Sequence, residues 1–214
     1  MKILKLIICC GLIACMSSCE LFLENEHAYV DLGLSVKWAT CNIGAESPED
    51  YGDYFAWGEV VKGDGKISSY KWLTNTEITI YSKYWNESSG EKDHKYTLES
   101  VDDVARAKWG IGWRMPSDNE INELLTKCTW YLTNVNGVKG YKVVGPNGNS
   151  IFLPAAGAIY NGNEYFIGYG GFYWSSSLYR QENTRACFLG FDLEQQSIAY
   201  AERYVAQSVR PVRR

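Results

Sequence analysis

Histidine is scarce in this chain: His27 and His94 are the only two among 214 residues. A Ser-His-Asp or Cys-His nucleophilic arrangement must use one of them. His27 stands in an acidic N-terminal stretch and His94 in a run of Lys and Asp, neither beside a nucleophile-like motif. No group of Cys and His has the close spacing that holds zinc. A basic excess is missing too. There are 21 Lys and Arg against 25 Asp and Glu, a net charge of −4 and a pI near 5.3. That removes the electrostatic case for nucleic acid, which needs a basic face. No apolar run reaches the roughly 20 residues that cross a bilayer. Gly168-Tyr169-Gly170-Gly171 lacks the Lys-Ser/Thr of a phosphate loop and reads as a turn ahead of Trp174. No pair of carboxylates is marked for glycoside hydrolysis. The expectation is a protein without catalytic residues, metal or cofactor.

What is present begins at the N-terminus. Lys2 and Lys5 precede an apolar or small stretch, Leu6 to Ala14, which ends in small residues. That pattern reads as a secretory signal peptide. Four of the seven cysteines lie here: Cys9, Cys10, Cys15 and Cys19. A lipoprotein signal ends in an apolar residue, two small residues and the cysteine that takes the lipid. Leu12-Ile13-Ala14-Cys15 and Met16-Ser17-Ser18-Cys19 both fit. Cys19 is the expected lipid attachment site, because two serines precede it and an acidic stretch follows. The expected organisation is a signal peptide over 1–18, an acidic tether over 19–28 and one domain over 29–214. Several acyl chains on one cysteine give stable attachment at about 0.8 kcal/mol per buried CH₂. The expected location is the outer membrane, lipid-anchored and facing the cell surface.

Roughly 190 residues after cleavage suit one domain. Beyond Cys19, the cysteines are Cys41, Cys128 and Cys187. Cys128 on a helical stripe and Cys187 in an apolar strand read as small core residues. A Cys41–Cys128 disulfide stays open in an oxidising compartment. Aromatics are abundant, with 8 Trp, 16 Tyr and 7 Phe. They serve a β-rich core or a recognition surface.

Along the chain, Val30, Leu32, Leu34, Val36 and Trp38 alternate with polar or small residues, a strand signal; Gly33 is a place for that strand to turn. Ser47-Pro48-Glu49-Asp50 has the form of a helix start. Residues 62–97 read as long loops. Ser100 is placed to cap a helix carrying Val101, Val104 and Ala105, ended by Gly110. Ser117 to Glu120 is a capping box, followed by Ile121, Leu124, Leu125 and Cys128 at helical spacing. From Thr129 onward strands and turns dominate, with turns at Asn136-Gly137, Pro146-Asn147-Gly148 and Asn161-Gly162. Helices early and strands late predict one α+β domain.

Several motifs in order resemble a known family. Tyr29–Ala45 reads YVDLGLSVKWATCNIGA, Tyr54–Glu59 YFAWGE, Trp113–Pro116 WRMP, and Gly137–Pro154 GVKGYKVVGPNGNSIFLP. Trp174–Ser177 reads WSSS and Ser208–Val212 SVRPV. The set is similar to the Fibrobacter succinogenes major paralogous domain family of Bacteroidetes lipoproteins, and it covers nearly all of the expected domain. The resemblance implies a C-type-lectin-like fold, shared with formylglycine-generating enzymes, in which the two chain ends meet in one sheet. It does not imply sugar binding through calcium. The Glu-Pro-Asn or Gln-Pro-Asp loop of calcium-dependent lectins is absent, and Trp174 is followed by serines rather than by Asn-Asp. The paired late cysteines of the formylglycine-generating branch are missing as well. Glu49, Asp50 and Asp53, and likewise Asp102 and Asp103, read as helix-start charges on a solvated face rather than as calcium ligands.

The candidate ligand-binding residues lie in the last third: Tyr179, Arg180 and Arg185 between two strands, and Tyr200, Arg203 and Tyr204 from the next hairpin arm. Tyr and Arg most often carry binding energy at interfaces. The expected partner is a protein or glycan ligand at the cell surface. Trp113 and Trp174 are expected in the core, with the serines after Trp174 satisfying buried backbone groups.

Overall fold

A computed structural model describes residues 27–75, 80–85 and 92–214. The expected signal peptide, Cys19 and all of the acidic tether but His27 and Ala28 lie outside the described residues. The chain opens with β1 (Tyr29–Val30) and β2 (Lys37–Ala39), which pair antiparallel with Val30 opposite Trp38. The alternating run is thus two short strands. Gly33 takes φ +75° and donates its N–H to Asp31 Oδ1 at 2.7 Å, which turns the chain between them. β3 (Leu73–Asn75) and β4 (Ile80–Tyr81) form a small ladder within the loop-rich stretch.

Two α-helices follow among the described residues. α1 (Val104–Trp109) is capped by Asp103, whose side chain accepts from the N–H groups of Ala105 and Arg106. α2 (Asp118–Lys127) begins at Ser117 with both halves of the capping box formed. The rest is sheet. β5 (Thr129–Val135), β6 (Val138–Val144) and β7 (Ser150–Pro154) form a meander. Asn136 (φ +51°) and Gly137 (φ +89°) make its first turn, both in the left-handed region that two-residue hairpins need. β8 (Ala158–Tyr160) and β9 (Asn163–Tyr165) form a second hairpin over Asn161-Gly162. β10 (Gly171–Leu178), β11 (Arg185–Phe191) and β12 (Gln196–Glu202) make the central sheet. β13 (Ala206–Gln207) pairs with β8, and β14 (Val212–Arg213) with β2. The first and last strands therefore share one sheet, in the order β1-β2-β14. The architecture is β-rich with two helices, an α+β domain.

The central sheet separates two cores. On one face Tyr173, Leu189 and Phe191 meet Ile121 and Leu124 of α2. On the other, Trp174, Leu178 and Phe188 meet Trp57, Tyr84 and Val104. Burial of such side chains stabilises by roughly 25 cal/mol per Å² of apolar area. Trp57 and Trp174 are fully buried, and each indole donates to a backbone carbonyl on the other's segment: Trp57 to Ser175 O and Trp174 to Phe55 O, both at 2.9 Å. The expected serine roles hold. Ser175 donates to Cys187 O at 2.8 Å, Ser176 donates to Pro116 O at 3.3 Å, and Ser177 Oγ accepts from the Asp118 N–H at 3.1 Å.

Three expectations fail locally, and one open question is answered. Ser47 starts no helix. Asp50 Oδ2 accepts from the Ser47 N–H at 2.9 Å, as the N3 carboxylate of a capping box does, but Gly52 (φ +71°) turns the chain away before a helix can propagate. α1 is capped by Asp103 rather than Ser100, leaving Val101 exposed. Asp102 and Asp103 are not solvated but buried. Asp102 accepts from Lys83 Nζ at 2.5 Å and from the Tyr84 hydroxyl at 2.6 Å, while Asp103 also accepts from the Met115 N–H at 2.8 Å. Cys41, Cys128 and Cys187 are all unbridged thiols, so the Cys41–Cys128 disulfide is not formed.

Candidate functional site: an aromatic groove

The six candidate residues separate into three places. Tyr179, just past β10, stacks on Tyr200 of β12 with centroids 3.8 Å apart and planes at 20°. Arg180 lies over the Tyr96 ring at 4.7 Å, and Arg185 pairs with Glu182 at 3.4 Å and Glu202 at 3.1 Å. This first group is an exposed or half-exposed patch whose cations already have partners.

Arg203 belongs to a second place, the interior, and is withdrawn as a binding residue. Its side chain is 0% exposed. The guanidinium sits among the rings of Trp57, Tyr70, Tyr81 and Tyr84, with centroids at 4.3 to 5.8 Å. It donates to the Tyr70 hydroxyl at 3.0 Å and to the carbonyls of Lys83 at 3.0 Å and Asn183 at 3.3 Å. Cation–π attraction and carbonyl dipoles hold the charge, with no carboxylate of the described residues paired to it. Arg203 thereby ties β12 to the loop-rich stretch. Arg210 plays a parallel part at the chain end, bonding Asn42 Oδ1 and the carbonyls of Ala39 and Thr40. Burial pushes its pKa down.

Tyr204 marks the third place. It stacks on Tyr160 at 6.0 Å, and Tyr160 in turn meets Tyr165 edge-on at 5.9 Å. Facing this row is a second one: Phe166 meets Phe172 at 5.8 Å, and Phe172 meets Phe188 at 5.8 Å. Between the rows runs a groove of about 300 Å³, with Ala201 and Gln207 also in its lining. A second depression of about 310 Å³ shares Phe166, Phe172 and Phe188 and continues along the same sheet face toward Ser197. The register explains the face. Phe188 stands opposite Trp174 and Ala199, and Ala186 opposite Ala201, so small residues of β12 leave the space that Phe172 and Phe188 border. Tyr200 points to the other side of the same sheet, since it pairs with Cys187.

The electrostatics of the groove are mild. Among the described residues Glu202 is the only charged side chain lining the first depression, and Arg185 pairs with it at 3.1 Å. Burial, reinforced by the neighbouring Tyr160 hydroxyl, raises the Tyr204 phenol above its ordinary range, so it stays neutral. Gln207, 2% exposed, contributes a side-chain oxygen with no hydrogen-bond partner. The sequence alone does not single out Tyr160, Tyr165 and Phe166, because the segment reads only as a turn. The available signal was three aromatics at one hairpin, of which Tyr165 (43% exposed) and Phe166 (63% exposed) are left largely in solvent.

Another concavity has charged groups that are already paired. It holds about 620 Å³ and is lined by Arg114, Glu120 and Asp103 among others. Arg114 is held bidentate by Glu120, and Asp103 is occupied by backbone N–H groups. Among the described residues, no three His, Cys, Asp or Glu side chains converge as a metal-binding group. The Cys187 thiol, buried and near Asp118, is pushed up to about 12 and is therefore protonated at neutral pH. Comparison of the chain with protein-family models, curated proteins and solved structures finds no match.

Proposed function

We propose that this chain is a surface lipoprotein of the outer membrane, anchored through lipid on Cys19, whose C-type-lectin-like domain binds a protein or glycan ligand without calcium and without catalysis. The observation that carries the reading is the aromatic groove beside β10–β12, concave, largely apolar and bordered by exposed rings. Small-ligand and interface sites share that make-up: apolar walls with a few placed polar groups. The fold assignment is supported by chain ends that meet in β1-β2-β14 and by the sheet-rich second half. Attachment through lipid is compatible with the described residues, where no helix is long and apolar enough to cross a membrane.

Two measurements test this. Mass spectrometry of the mature N-terminal peptide should find acyl chains on Cys19; lipid on Cys15 moves the anchor, and an unmodified N-terminus removes it. A binding screen of the intact chain against glycans and surface proteins should yield a ligand whose binding Phe166→Ala weakens while stability is kept. A ligand insensitive to Phe166→Ala and Tyr165→Ala places the function elsewhere.

A second reading, assembly into a surface fibre, is favoured by one feature. Among the described residues β5 pairs only with β6, which leaves its other edge without a strand, and it carries Tyr131 and Leu132 at 55% and 51% exposure. Open edges with exposed apolar residues accept an added strand. Co-purification with a fibre that is lost on placing proline in β5 would establish it.

A further inference from the structure

We infer that the groove between Tyr165 and Phe188 takes a neutral pyranose ring, with a sugar hydroxyl bonded to the side-chain amide of Gln207. This rests on the groove being the binding site.

The first observation is the orphaned amide. Gln207 is 2% exposed, lines the groove, and its side-chain oxygen has no partner. An unsatisfied buried polar group destabilises the fold, and a ligand that meets it recovers that cost. A hydroxyl suits an amide in either orientation, since it can donate to the oxygen or accept from the nitrogen. A ligand offering only donors or only acceptors suits one orientation.

The second observation is the wall chemistry. Two rows of rings, Tyr165-Tyr160-Tyr204 and Phe166-Phe172-Phe188, flank the space. Aromatic faces carry negative charge density and attract the weakly positive C–H face of a sugar ring. The alternation of C–H faces with equatorial hydroxyls on a pyranose matches apolar walls over a polar floor. The first depression holds about 300 Å³, the lower end of small-ligand sites, and the second extends the same trough for a linked unit.

The third is charge. Among the described residues Glu202 is the one charged group lining the first depression and is paired to Arg185, and the second depression adds Asp192 and no cation. The groove has nothing to hold a sulfate or carboxylate, so neutral sugars are selected over uronic acids.

The test uses the intact chain with methyl glucopyranoside, methyl galactopyranoside, methyl mannopyranoside and glucuronic acid as probes, read by saturation-transfer NMR. An apolar fluorescent dye serves as a separate probe of groove occupancy. At least one methyl glycoside should receive saturation, with glucuronic acid much weaker. Tyr165→Ala and Gln207→Leu should each weaken that binding roughly tenfold or more. Gln207→Leu should fold at least as stably as wild type, because it deletes an unsatisfied polar group. Dye binding that Phe166→Ala weakens, with no glycoside signal, overturns the pyranose inference and leaves the groove as a site. Glycoside binding unchanged in both variants seats the sugar elsewhere and overturns the inference that this groove takes it. A Gln207→Leu protein that binds sugar like wild type overturns the role of the amide.

Discussion

Arg203 Nε donates a 3.0 Å hydrogen bond to the hydroxyl of Tyr70, 133 residues away in sequence, in a region fully closed to solvent. The bond joins the end of β12 to the loop-rich segment that the small β3-β4 ladder only partly organises. Four rings and further bonds to backbone carbonyls surround the same guanidinium.

Removing it should therefore act on stability. Arg203→Ala is expected to cost about 3 kcal/mol or more, from a cavity and several stranded carbonyl and hydroxyl groups. Arg203→Lys should also destabilise, since an ammonium cannot reproduce the planar fork. Urea unfolding at neutral pH measures both. A midpoint equal to wild type for Arg203→Ala would show that the cage does not hold the loops.

The Tyr179–Tyr200 stack should behave as a modest surface contact. A double-mutant cycle with alanine at both positions should give a coupling of about 0.5–1.5 kcal/mol, with neither change affecting a ligand of the groove, which opens on the other sheet face. Loss of groove binding in Tyr200→Ala would contradict the separation of the two surfaces.

Acid sensitivity has a named contributor. Lys83 and Lys95 hold the Glu99 carboxylate down at about 2, against 4.5 for an ordinary glutamate. A depressed carboxylate contributes stability that is complete above the unfolded value and disappears as pH falls through the folded one. The difference between wild type and Glu99→Gln should therefore be constant above about pH 4.5 and vanish towards pH 2. It should also shrink in high salt, because the pair is half exposed. A difference that grows on acidification would reverse the assignment.

The thiols should differ in reactivity. Burial lifts Cys187 to about 12 and Cys128 to about 11, so both are protonated at neutral pH. Cys41 is half-buried and touches Thr40 Oγ1 at 3.5 Å. Maleimide should label Cys41 and, more slowly, Cys128 in the native protein, and Cys187 only after denaturant is added. Rapid native labelling of Cys187 would place it in an open site.

Much of the framework was legible locally. Asn136-Gly137 and Asn161-Gly162 dictate their hairpins because those positions must adopt positive φ, which Gly and Asn accept. Ser117 and Glu120 cap α2 through bonds three residues apart. The alternation of Cys187, Leu189 and Phe191 marks a strand with one face in a core. Each of these signals is short-range, and so is readable in order along the chain.

Long-range partners decided the rest. Arg203 and Tyr204 are adjacent in sequence and look equally fit for a surface, yet one closes a buried cage and the other borders a groove. Asp103 outcompetes Ser100 as the cap because the Met115 N–H also points at its carboxylate. The groove exists because β8–β9 folds beside β10–β12 and sets Tyr160 against Tyr204. Sequence alone determined where the chain turns and which residues alternate, since backbone sterics and periodicity act between neighbours. Which arginine is buried, and which aromatics line the groove, depended on segments that meet only after folding.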